Sequence, residues 1–208
     1  MISRRRLSAV LSITAASALT LGAFVSHASA EAIPGTPAPA FTGLTASGET
    51  VSLSDYAGQT VVLEWTNHDC PYVRRHYEGN IQAQQNAAGE DGVVWIQVIS
   101  SAPGEQGYVD AETALSLNVE RDANVDATIL DPEGTIGLAY DARTTPHMYV
   151  IDGEGLVQYA GGIDDMPRGP AAEATQFVPA ALSALAAGQS PDPAQTTPYG
   201  CNVKYAKG

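Results

Sequence analysis

"VVLEWTNHDCPYV", residues 61–73, decides the fold. Its apolar run, Val61 to Trp65, is continuous rather than alternating, which suits an inner strand covered on both faces of a sheet. The run stops near Asn67, and Cys70 stands directly before Pro71, a residue favoured at the first helical position. The spacing predicts a strand, a short loop and then one helical stretch, "PYVRRHYEGNIQAQQNAA", over residues 71–88. A cysteine at a helix start faces unpaired backbone amides, and these, with the helix dipole, favour the thiolate. The thiolate is the attacking species in thiol exchange. His68, Arg74 and Arg75 add positive charge nearby, while Glu64 and Asp69 oppose it. The position where a second cysteine of a Cys-x-x-Cys pair would stand is Val73.

Outward from this stretch the chain alternates. "TGLTASGETVSLSDY" (42–56) reads as two short strands around a Ser-Gly turn. "GVVWIQVISS" (92–101) is a second buried strand. "DAETALSLNVERDANV" (110–125) is a helix with Asp110 as N-cap. "ATILD" (127–131) is a third strand and "TIGLAYDA" (135–142) a short helix. "HMYVID" and "LVQYAGGID" around "GEG" form a hairpin. A last helix, "GPAAEATQFVPAALSALAAG" (169–188), is expected to bend at Pro179. Alternating strands and helices with a terminal hairpin imply an α/β layer fold around a central mixed β-sheet flanked by helices.

Three segments follow. Residues 1–30 read as a signal peptide: Arg4, Arg5 and Arg6, an apolar stretch, then "HASA" at the spacing signal peptidase reads. "SRRRLS" also resembles the twin-arginine export signal. The expected location is therefore periplasmic or secreted, with no membrane span after cleavage. Residues 31–190 form the folded domain, and 191–208 a Pro-rich, flexible tail carrying Cys201. All 23 acidic residues but only 7 of the 10 basic ones lie after residue 30. Such a chain repels nucleic acid and anionic membranes. The chain's two cysteines, Cys70 and Cys201, would meet an oxidising compartment, where a bridge persists.

"GTPAPAF" (35–41), "LSDYAGQTVVLEWTN" (53–67), "CPYVRRHY" (70–77), "ISSAPGEQG" (99–107), "LDPEGTIGLAY" (130–140), "TTPHMYVID" (144–152) and "YGCNVKY" (199–205) carry a family likeness. Together they resemble the thioredoxin fold, and more narrowly the exported peroxiredoxin-like branch of the alkyl hydroperoxide reductase and thiol-specific antioxidant (redoxin) superfamily. The resemblance implies an exported thiol-disulfide oxidoreductase that needs no organic cofactor. Its partners would be protein or small-molecule thiols and disulfides, or a peroxide. It also implies that Thr145 and Pro146 form a cis-proline loop opposite Cys70, where the backbone of Thr145 pairs with a bound segment. Pro71 and Tyr72 would line the same site. True peroxiredoxins hold their reactive cysteine at the position of Val73, with threonine three residues before it and proline seven before. This chain has Cys70 and Thr66 there, so the peroxidase set is missing.

The expected chemistry is attack by Cys70, with Cys201 on the mobile tail resolving the intermediate. A permanent clamp in a non-catalytic module, and a bridge between two chains, remain open at this stage. His68, Cys70, His76, His147 and Cys201 invite a copper-chaperone reading, since sulfur with imidazole suits copper. Their separation argues against it, so no metal site is assigned. His76 reads as a helix-surface histidine. Asp91, Asp131, Asp152, Asp164 and Asp165 read as solvated turn residues.

Overall fold

A computed structural model describes residues 32–207; the expected signal peptide lies outside the described residues. The central sheet has seven strands: β1 (Thr42–Thr45), β2 (Thr50–Ser52), β3 (Val61–Trp65), β4 (Val94–Ile99), β5 (Ala127–Leu130), β7 (His147–Ile151) and β8 (Val157–Gly161). The two-residue strands β6 (Thr144–Thr145) and β9 (Cys201–Asn202) pair separately. The helices are α1 (Pro71–His76), α2 (Asn80–Glu90), α3 (Ala111–Glu120), α4 (Thr135–Ala139) and α5 (Phe177–Ala186).

The order across the sheet is β2-β1-β5-β4-β3-β7-β8. Strands β3, β4 and β5 run parallel, and β7 joins β3 antiparallel with Trp65 opposite His147. The sheet is thus mixed, and the architecture is the thioredoxin-like α/β one expected from the sequence. Every residue of β3 is buried, as its unbroken apolar run requires. Alternation then splits the strand between two cores. Val61, Leu63 and Trp65 pack with Ile96, Ile129, Tyr140 and Tyr149 on one face. Val62 packs with Cys70, Val73, Ile81, Trp95, Met148 and Val178 on the other. Full burial of side chains of this size contributes ~1.5–3 kcal/mol each.

The single stretch expected over 71–88 is two helices. Gly79 has φ 117, a left-handed conformation that ends the first and starts the second. The Asp110 cap of α3 is present, with Oδ1 accepting from the Thr113 amide at 2.9 Å. Helix α5 begins only at Phe177, so Pro179 sits in its first turn, where no amide partner is lost, and not at a bend.

The largest departure is the tail. It is a strap laid across the sheet end and fixed along its length. The Thr196 amide donates to Ala160 O at 3.1 Å, and Val203 N to Arg143 O at 3.0 Å. Ala102 N donates to Lys204 O at 2.8 Å, and the Tyr205 hydroxyl to Ala142 O at 2.7 Å. Prolines make the segment extended rather than loose, and its free backbone groups find partners on the folded domain.

Candidate functional site

The site forms where β3 ends, α1 begins and the strap crosses. Cys70 is the residue before the first turn of α1, with Pro71 at the helix start and Cys70 O accepting from Arg74 N at 3.0 Å. Its side chain is 0% exposed. The strap and the loop before β7 cover it. The thiol donates to the carbonyl of Thr145 at 3.0 Å. The Thr145–Pro146 peptide bond is cis, and both residues are buried.

Strand β9 pairs antiparallel with β6, with Cys201 opposite Thr145 and Asn202 opposite Thr144. This brings the partly exposed Cys201 thiol within hydrogen-bonding reach of Cys70, and both are free thiols. Gly200 makes the crossing possible. Its φ is 142, and a Cβ there would lie 2.0 Å from Thr145 O. Tyr72 is half-buried and meets the strap's Tyr199 edge-on, with ring centroids 5.7 Å apart; Pro71 is exposed at the rim.

The two sulfurs ionise in opposite directions. Burial disfavours the Cys70 thiolate, but hydrogen bonds from the Cys201 thiol, the Val73 amide, Thr145 and the Cys201 amide outweigh it, so its pKa falls below the usual value. The bond to the Thr145 carbonyl works the other way, holding the neutral thiol. Cys201 is pushed up to about 11, by burial first and then by its hydrogen bond to, and the charge of, Cys70; Lys204 eases this. Of the two, Cys70 is therefore the sulfur that ionises first, and Cys201 the one that holds its proton to higher pH.

The cationic residues of α1 do not serve the thiol. Arg74 donates to Asp69 at 2.8 Å and to His68 O. Arg75 reaches the buried Asp164 at 2.8 Å. His76 is fully buried, not at the helix surface. Its Nε2 lies 3.0 Å from the Tyr199 hydroxyl, and its Nδ1 2.8 Å from Asn80. Burial, then the charge of Arg75, lowers its pKa to about 4 against the opposing pull of Asp164. Asp164, which Tyr199 also grips, and Asp131, which accepts from Ser100 and the amides of Ile136 and Gly137, are buried rather than solvated. Each carboxylate replaces its lost water with several donors. Tyr199 and Asp164 were not singled out from the sequence as site residues: Asp164 stands in no motif, and Tyr199 opens "YGCNVKY" but meets its partners only across the fold.

His147 packs against Tyr149 and is lowered to about 3 by burial and by Arg143. Among the described residues no three of His, Cys, Asp or Glu converge to hold a metal ion. Glu64 is fully buried on the Val62 face of β3, bonded by Trp95 at 2.9 Å and Tyr77 at 3.0 Å, and burial raises its pKa.

Solved structures share this architecture, two of them over most of the chain. A hypothetical protein from Sinorhizobium meliloti aligns with a TM-score of 0.74 at 20% identity, covering 85% of this chain and 96% of that one. An uncharacterized conserved protein from Geobacillus kaustophilus aligns with a TM-score of 0.76 at 23% identity, covering 85% and 94%. No match is found among curated proteins. The AhpC/TSA family model matches residues 34–160, from the extended lead-in through Cys70 and the cis-proline loop to β8, and the chain belongs to that family.

Proposed function

We propose that this protein is a thiol-disulfide oxidoreductase whose working pair is Cys70 and Cys201, cycling between dithiol and disulfide. The observation that carries the reading is their convergence at Thr145. That residue's carbonyl holds the Cys70 thiol, and its strand partner is Cys201. The opposite shifts of the two sulfurs make Cys70 the readier thiolate and Cys201 its proton-bearing partner in one contact. Thr145 and Pro146 shape the wall, and Tyr72 and Pro71 its rim. The substrates are thiols and disulfides. Among the described residues no helix is long and apolar enough to cross a membrane. The sequence of residues 1–30 supports export, and an oxidising compartment would keep the pair bridged.

One observation favours a second reading, a structural clamp: the strap is already fixed by bonds on both sides of Cys201. Titration in glutathione and dithiothreitol buffers separates the two. Cycling predicts a two-electron transition at a potential above about −300 mV, whereas a clamp lies below it. A pair that does not interconvert at any poise, or that bridges only between chains, overturns the proposal.

A further inference from the structure

Covalent exchange needs a nucleophile to approach a sulfur in line with the bond that breaks, so access selects which sulfur of a bridge is attacked. At this site the two sulfurs differ sharply in access. Cys70 is 0% exposed, enclosed by Thr145, Val73 and the strap, whereas Cys201, packed against the same cluster, is partly exposed. The strap is held on both sides of Cys201, by Tyr199 on Asp164 and by Val203 and Lys204 on the domain. Uncovering Cys70 requires breaking several of these bonds together.

Resting on the redox reading above, we infer that outside thiols exchange at Cys201 and not at Cys70, and that the thiols accepted are small molecules rather than strand-forming protein segments. The second half follows from the pairing at Thr145. The backbone groups of the cis-proline loop that a polypeptide would need are already used by Cys201 and Asn202. Gly200 lies so close to the Thr145 carbonyl that no side chain fits between them. A segment with its own backbone to pair would have to displace β9, and with it Cys201.

The steps balance. A thiolate RS⁻ attacks the Cys201 Sγ of the bridge. The S–S bond to Cys70 breaks, its electron pair leaves on the Cys70 sulfur, and a Cys201–S–S–R mixed disulfide forms. A second RS⁻ attacks the R sulfur, RSSR departs, and Cys201 leaves as a thiolate that takes a proton from solvent. Two small thiols are oxidised and one protein bridge is reduced. The ionisation order agrees with the geometry, since the sulfur of lower pKa is the better leaving group.

The test uses the full chain, oxidised and then mixed with 2-mercaptoethanol, quenched in acid within the first turnover, alkylated after denaturation and mapped by mass spectrometry. The mercaptoethanol adduct is expected on the Cys201 peptide and the alkyl label on Cys70. The reverse pattern overturns this inference while leaving the redox pair standing. Failure of the bridge to form on oxidation removes the redox pair, and this inference with it. In a second arm, a reduced unfolded polypeptide bearing one cysteine is expected to open the bridge slower than 2-mercaptoethanol by about tenfold or more, at matched thiolate concentration. Equal rates overturn the size restriction.

Discussion

The Cys70 thiol donates to the backbone carbonyl of Thr145 at 3.0 Å, across seventy-five residues of chain. That same residue is the strand partner of Cys201. One backbone position therefore holds both cysteines, and the consequences can be tested separately.

Removing the Cys201 sulfur should raise the Cys70 pKa. Burial opposes the thiolate, and the Cys201 thiol is the strongest of the bonds that overcome it. In Cys201→Ala, thiolate absorbance followed against pH should appear at higher pH than in the protein with both cysteines. An unchanged or lower value would mean that the amides alone set the ionisation.

Gly200→Ala should loosen the strap. The left-handed φ and the contact with Thr145 O both penalise a side chain, at a cost of ~1–3 kcal/mol. Chemical denaturation should show the loss, and alkylation of native Cys70 should speed up because its cover lifts more often. Unaltered alkylation would show that Cys70 is reached by another path.

Tyr199→Phe and Asp164→Ala should differ in severity. The tyrosine change removes one hydroxyl from a carboxylate that keeps Arg75, costing ~1–2 kcal/mol. The aspartate change strands a mostly buried Arg75, and breaking such a pair costs ~3–5 kcal/mol. Urea midpoints of the two variants give the comparison, and equal losses would argue that Arg75 finds solvent.

Stability should fall with acid. His76 and His147 have folded pKa values depressed to about 4 and about 3. The groups around His76 are Asp164, Arg75, Tyr199 and Asn80; those around His147 are Arg143 and Tyr149. Because the unfolded chain takes up these protons first, near pH ~6.5, the contribution is complete above that value and shrinks as pH falls through the folded values. Thermal midpoints between neutral pH and pH ~4 should decline, and His76→Gln should flatten the slope. A midpoint that rises toward acid would contradict the buried neutral state.

Much of the architecture was legible because it is written in local patterns. The unbroken run at 61–65, the Asp110 cap and the "GEG" hairpin each fix an element within a few residues of themselves. The break at Gly79 was missed since an isolated glycine is tolerated inside a helix, and only packing decides whether it turns left-handed. His76, Asp131 and Asp164 were misplaced because polar side chains are read as solvated unless a partner is known. Their partners, Tyr199, Ser100 and Arg75, lie on other elements.

The sequence by itself determined a strand, loop and helix with a cysteine at the junction, and a family-like proline before a later strand. Tertiary structure alone decided that Cys70 is covered, that the tail is a fixed strap, and that Cys201 is the more exposed of the two cysteines. The reason is physical. Periodicity and capping act over a few residues and leave a local trace. The burial of a sulfur depends on which distant segment finds its hydrogen bonds above it, and that contact has no signature within either segment.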